Sequence, residues 1–408
     1  MTKPNHHDIV VIGAGICGAT IARELLERGK SVCVIDAANS AATACSSHAY
    51  AIAHPHIGKG SPRLLRLTRL AFLLAEARWG KTWNAHGIFL PTKKDRTFNR
   101  DEVSAHLRSL NLEKDIAIPL DVKEASSVCG VEQSGVWIAR GASLDLSQAS
   151  KELLSNHDAL TCLWGTQITG LENVEGVWRL KDNQGHAVVT AKKVVLAAAM
   201  GTRPLINSLG LRLPLRPVRG QLSIFSINPQ DPWVTKLPRV GISGDGYCLP
   251  ALKGNDGIYR WMVGSSFDEG EDDLVPRLIS DDFNREQAKG LVNYADGNVK
   301  HLHHDGEFVG VRCVAGDRLP IIGALNQRPG IFIATALGSR GILWSALAAK
   351  LITAQLLEDD FALLARLGFA SDLVAALAPA RFLAGALAVP GALASNSKPI
   401  LPSEPSAR

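Results

Sequence analysis

The chain has 408 residues, 46% hydrophobic and 20% charged, with a formal net charge of +5; this is enough apolar material for two domains and excludes a disordered or fibrous chain. Seven cysteines (Cys17, Cys33, Cys45, Cys129, Cys162, Cys248, Cys313) form no C-x-x-C pair, which excludes a disulfide scaffold and reads as small core residues in a reducing compartment. The polar start MTKPNHHD and the absence of a span-length apolar run point to a cytoplasmic protein with no membrane segment, and the mild basic balance permits a polyanionic partner such as RNA without requiring one.

Residues 8–36, DIVVIGAGICGATIARELLERGKSVCVID, read as strand, glycine turn, helix and strand. An apolar strand over 9–12 leads into Gly13, Gly15 and Gly18 in G-x-G-x-x-G spacing, and a helix follows over 19–28. Gly13 permits the tight turn, Gly15 lets backbone approach a pyrophosphate next to Ala14, and Gly18 lets the helix pack closely on the strand. An anion then sits on the helix N-terminus. A second strand over 31–35 ends at Asp36, where a carboxylate accepts hydrogen bonds from an adenosine ribose and disfavours a 2′-phosphate. The motif alone leaves NAD and FAD open, with an ordinary βαβ turn as the bland alternative.

The loop AANSAATACSSHAYAIAHPH is lean in side chains, as a segment passing a cofactor must be. Residues 61–84 carry a helical apolar stripe, with Arg63, Arg66, Arg69 and Arg78 read as its solvated face. The charged tract 101–127 reads as surface helix and connection. Strands are expected at 136–139, 167–171, 176–180 and 187–190, a β-meander, followed by a buried strand at 194–197 and small residues at Ala198 and Gly201 that keep a cofactor cleft open. From 218 to 309 the runs GQLSIF, GYCLPAL and GIYRWMVGSS suggest an antiparallel substrate region. Two histidine groups (His54 and His56; His301, His303 and His304) lack the accompanying ligands of a metal site, so no metal is expected. The tail 387–408 is rich in Pro, Ser, Ala and Gly and reads as disordered.

Late in the chain GIFIATALGSRGILWS repeats the opening physics: a strand over 331–335, then Gly338, Ser339, Arg340, Gly341 and Ile342 opening a long amphipathic helix. A second turn of this kind selects FAD, because backbone N–H groups and a helix N-terminus stabilise the negative charge that gathers on a reduced flavin.

GAGICG with Asp36, VRGQLSIF, DGYCLP, GVRCVAGDRLPIIG and GSRGILWSALAAKLITAQLL together resemble the D-amino-acid-oxidase-type flavoproteins, which include glycine and sarcosine oxidases. Within that class the chain resembles the FAD-dependent oxidoreductase domain of the bifunctional tRNA 5-methylaminomethyl-2-thiouridine biosynthesis family, over about residues 8–382. The resemblance implies an α/β, two-domain fold of glycine oxidase/D-amino acid oxidase type: a discontinuous Rossmann-like FAD-binding domain (1–60, 140–217 and 310–386) and an antiparallel-sheet substrate domain (61–139 and 218–309). It implies oxidation of a carboxymethylaminomethyl group on the tRNA wobble uridine, a glycine-like C–N bond converted to an imine, with a separate methyltransferase as a further partner. The alternative is an amine oxidase or dehydrogenase acting on free glycine, sarcosine or a D-amino acid. Arg312 matches the carboxylate-binding arginine of the glycine and sarcosine oxidase pattern, and Tyr247 is expected to cover the flavin face or touch the same carboxylate. Where the tRNA-modifying family carries an asparagine and a glutamine-glycine pair, this chain has His48, Tyr50 and Ala51 ahead of Pro55; His48 and His54 then fall near the flavin.

Overall fold

The first strand starts earlier than its apolar run, because a parallel neighbour keeps the polar residues at its start in register. The computed structural model describes residues 4–383 apart from 59, 94, 113–114, 231–233, 235–236, 255, 292–301 and 358–360; the tail and His301 lie outside the described residues. Along the chain, β1 (Asn5–Ile12) passes through the glycine turn to α1 (Ile16–Glu27) and β2 (Val32–Ile35). The long α2 (Pro62–Trp79) follows, then β3 (Ala187–Leu196) and β4 (Leu215–Ile227). After β5 (Tyr247–Cys248), β6 (Tyr259–Gly264) and α3 (Leu278–Leu291), the chain returns through β7 (His303–Ala315) to β8 (Ile331–Thr335) and α4 (Gly341–Leu357).

One sheet of eight strands runs in the order Ile321–Ala324, β8, β3, β1, β2, Leu160–Leu163. From β8 to Leu160–Leu163 every pairing is parallel, with Val10 set against Val194 on one side and Cys33 on the other. Strands buried on both faces read as continuous apolar runs, which is why β1, β2 and β8 were visible without alternation. The expected meander is divided: Val177–Lys181 pairs with β3 and with Gly170–Val174 as an antiparallel branch on this sheet, whereas 136–139 falls on Gly135–Ile138 in the other sheet, where it pairs with Ile88–Pro91. Residues 187–190 and 194–197 were expected as two strands; they are the single β3, because one continuous edge pairs with both the branch and β1.

The other sheet has ten strands, and β4 is its spine. β6 and β7 both pair with it antiparallel, with Gly220 opposite Gly310 and Arg219 opposite Val311. Four of its short strands carry no alternation to announce them, and Ala117–Leu120 lies inside the tract expected to be helix and connection.

Two expectations about helices need correction. α4 is not amphipathic: all but Gly341, Lys350, Gln355 and Leu357 are buried, because the helix is enclosed by α1, α2 and the first sheet. Arg78 is not part of a solvated face, and α2 ends at Trp79, short of residue 84. Its guanidinium reaches Glu24 at 2.5 Å and Glu27 at 2.8 Å, and Lys350 Nζ donates to the same Glu24 at 2.7 Å, so one buried carboxylate ties α1, α2 and α4 together.

Candidate active site

Gly13 closes the first turn by donating to the Ile35 carbonyl at 2.8 Å, with φ at +108°. A Cβ there would lie 2.6 Å from the Ala197 carbonyl oxygen, and one on Gly18 would lie 1.8 Å from the Gly13 oxygen, so both positions need glycine for the close approach of strand and helix. Asp36 points back at this turn: one carboxylate oxygen accepts from the Ala14 N–H at 2.6 Å and the other from Ala38 N–H at 2.9 Å. Ser46, which sequence reasoning did not single out, accepts from the Ile16 N–H at 2.9 Å and so stands over the N-terminus of α1. Its only signal was its place in the lean loop after Asp36.

A cavity of about 1790 Å³ opens from this turn. Its wall runs from Gly15, Ile16 and Ser46 past Ala197 and Ala199 to the second turn, where Gly338, Ser339, Arg340, Gly341 and Ile342 all contribute, and ends between His48, Tyr247, Ser265 and Arg312. Gly13, Ala14, Gly18 and Asp36 shape the turn from behind, outside the wall, and Ala198 and Gly201 are likewise replaced in it by Ala197 and Ala199. At the second turn Gly338 has φ at +55° and donates to the Cys313 carbonyl at 2.9 Å. Arg340 approaches His56 Nδ1 at 3.4 Å, and burial lowers its pKa.

The far end of the cavity is built around Arg312 on β7. Its Nη2 donates to Ser265 Oγ at 2.6 Å, and Nη1 lies 3.4 Å from the Arg219 carbonyl and 3.5 Å from that of Ser266. The guanidinium covers Gly220, where a Cβ would lie 2.2 Å from Nη1, and its carbon stands 4.8 Å from the centre of the Phe267 ring. Burial lowers its pKa, and among the described residues no carboxylate forms an ion pair with it. The nearby Asp268 is held by Arg219 at 2.9 Å and by Ser266 Oγ at 3.1 Å. Tyr247 Oη lies 2.8 Å from His48 Nε2, and burial raises the phenol's pKa. Burial, with a further push from Arg312, drives His48 down to about 3, and His54, bonded to Ser243 Oγ at 3.0 Å, is pushed down to about 4. Both rings are therefore neutral at physiological pH. Cys45 lines the same wall with its thiol pushed up to about 11 by burial, which leaves it protonated.

The structure thus brings Arg312, Tyr247 and the second glycine turn to one cavity, while Ser265 and Ser46 emerge only from the fold. Among the described residues no group of three His, Cys, Asp or Glu side chains converges as a metal site, and no helix is long and apolar enough to cross a membrane.

Two glycine turns along the wall, a charged corner beyond them, and a volume beyond the roughly 300–1,000 Å³ of an ordinary small-molecule site suit a dinucleotide together with a substrate. The family model for FAD dependent oxidoreductases of the DAO type matches residues 8–355, and the chain belongs to that family; it is an FAD-dependent oxidoreductase. Among its relatives, the tRNA 5-methylaminomethyl-2-thiouridine biosynthesis bifunctional protein MnmC of Ralstonia nicotianae is 32% identical over 94% of this chain and 61% of that protein. The Burkholderia pseudomallei protein of the same name is 29% identical over 93% of this chain and 60% of its own length, so the chain spans about three fifths of these relatives. The fold is shared with glycine oxidase from Geobacillus kaustophilus (TM-score 0.71, 19% identity, 90% of this chain and 99% of that one). It is shared equally with L-proline dehydrogenase from P. horikoshii (TM-score 0.71, 17% identity, 94% and 99%).

Proposed function

We propose that this enzyme oxidises the carboxymethylaminomethyl arm of a tRNA wobble uridine, removing the carboxymethyl group to leave an aminomethyl uridine. The observation that carries the reading is Arg312, a half-buried guanidinium that lines the cavity and whose hydrogen-bond partners among the described residues are all neutral. Such a cation is complementary to a substrate carboxylate, which it grips through parallel charge-assisted hydrogen bonds. The relatives that match almost the whole chain carry a tRNA-modification name, which favours the tRNA arm over a free amino acid.

Gly15 and Ser46 would meet the AMP and pyrophosphate end of FAD on a turn that Gly13, Ala14, Gly18 and Asp36 shape from behind, and Gly338 to Ile342 would hold the flavin end, with Ala197 and Ala199, rather than Ala198 and Gly201, lining the cleft between them. FAD, when bound, supplies a two-electron acceptor for a hydride from the carbon beside nitrogen. Arg312 and Tyr247 fix the carboxylate, and thereby that carbon. The neutral His48 and His54 put no competing positive charge beside it. The resulting imine adds water and breaks to glyoxylate and the aminomethyl group, which a separate methyltransferase can then use. In this reading the eight-stranded sheet belongs to the cofactor and the ten-stranded sheet to the substrate.

Nucleoside analysis of tRNA from a deletion strain tests the substrate. The carboxymethylaminomethyl nucleoside is expected to accumulate at the expense of the aminomethyl and methylaminomethyl forms; unchanged levels overturn the reading. With purified holoenzyme, tRNA oxidation should weaken steeply with salt, whereas efficient, salt-insensitive oxidation of free glycine or sarcosine would assign the alternative.

A further inference from the structure

We propose that His48 makes the Tyr247 hydroxyl a hydrogen-bond donor toward the substrate carboxylate, through an imidazole tautomer that the backbone of Tyr50 fixes. This rests on the reading of Arg312 as a carboxylate anchor.

The Tyr50 N–H donates to His48 Nδ1 at 3.3 Å. A neutral imidazole has one donor and one acceptor nitrogen, so the proton is on Nε2. Nε2 faces Tyr247 Oη at 2.8 Å and donates to it. That fills an acceptor position of the phenol oxygen and leaves its own proton for another partner. Tyr247 lines the same cavity as Arg312, so the free proton serves an acceptor there. The ring plane is held by stacking on Phe308 at 4.8 Å between centroids and 16° between planes, and the backbone of His48 is held by its carbonyl, which accepts from Leu146 N–H at 3.1 Å. Ser265 repeats the logic, since its oxygen accepts from Arg312 and its own proton is left over.

The corner therefore offers three donors toward the cavity: guanidinium, phenol and serine hydroxyl. The opposite tautomer would reverse the sign, with Tyr247 donating to His48 and turning an oxygen lone pair toward the carboxylate. His48 is in this sense a positioning residue, acting through Tyr247.

Two measurements on the FAD-loaded protein test this without tRNA. In protein labelled with ¹⁵N-histidine, long-range nitrogen–proton correlation is expected to show His48 protonated at Nε2; protonation at Nδ1 overturns the proposal. For binding, methoxyacetate, a carboxylate probe lacking an oxidisable amine, is titrated through the perturbation of flavin absorbance. His48→Phe, which keeps the stacking and removes the donor, is expected to weaken methoxyacetate roughly tenfold, about the worth of one oriented hydrogen bond to a charge. Tyr247→Phe should cost about as much, the double variant no more than either single one, and His48→Gln, whose amide can donate, should recover most of the loss. Losses that multiply in the double variant overturn the proposal. Should His48→Phe fail to fold, the nitrogen correlation and the Gln variant still decide. If both measurements come out as expected while tRNA from the deletion strain is unchanged, the positioning role stands and only the tRNA substrate falls.

Discussion

The two faces of the β4 strand hold two arginines that meet opposite fates. On one face Arg219, with no solvent exposure, is bound by Asp268 at 2.9 Å, by Asp273 at 3.4 Å and by the Gln221 side chain at 3.0 Å. Its neighbours on that face, Gln221 and Ser223, converge on Asp281 of α3, and Asn284 closes the network onto the Gln221 carbonyl at 2.9 Å. On the other face the side-chain position is Gly220, and the guanidinium of Arg312 from the paired β7 lies in the space so left. Among the described residues Arg312 bonds a hydroxyl and two carbonyls and forms no ion pair with an acid. A charge already neutralised by carboxylates is architecture; one supplied only with neutral acceptors keeps its capacity for an anion from outside.

If that contrast is right, replacing each arginine should damage a different property. Arg312→Ala is expected to lower kcat/KM for the carboxylate-bearing substrate roughly 10²- to 10³-fold, the cost of losing a buried charge-assisted pair, while the protein stays folded and yellow. Retained turnover removes Arg312 from the anchoring role. Arg219→Met should instead cost about 3 kcal/mol of stability in chemical unfolding, the lower end for a broken buried pair because Asp268 and Asp273 are partly exposed; an unchanged midpoint would show that the network contributes nothing. Gly220→Ala sharpens the comparison further. The added methyl displaces only the end of a flexible side chain, so methoxyacetate should bind roughly tenfold more weakly with little change in stability; binding equal to wild type would mean that the guanidinium does not work from that position. The smallest effect is on pH. His48 and His54 have folded pKa values of about 3 and about 4 against an ordinary 6.5, so the folded state binds fewer protons between those limits. Their contribution to stability is full above 6.5 and is lost as the pH falls toward 4. The urea midpoint should fall across that window, and less so in His54→Gln; a flat profile in the wild type contradicts the burial of both rings.

Residues 8–36 and 331–357 were legible in the sequence because their structure is made by near neighbours: an apolar strand, a glycine turn and a helix are each signalled within a few residues. The boundaries of β8 were read without error, 331–335. The substrate end was only half legible. Arg312 and Tyr247 could be named from motifs and His48 placed near the flavin, but Ser265 enters only by convergence, and His48 meets Tyr247 across 199 positions. Short strands such as Ile88–Pro91 and Ala142–Leu144 escaped for the same reason, since partners distant in sequence hold them in place. Arg78 was misread because a helical wheel shows which residues share a side and not what stands opposite; here Glu24 and Glu27 of α1 stand there.

β7 carries a last consequence. Arg312 is one residue from Cys313, whose carbonyl receives the Gly338 N–H at 2.9 Å, and Val314 bridges to Leu337 just before the second turn. The arginine proposed to clamp the carboxylate and the turn that opens α4 are thus fastened to one strand. In the proposed reading such a strand is a gauge of length: an arm longer by one methylene, clamped at the same guanidinium, would present a different carbon to the turn.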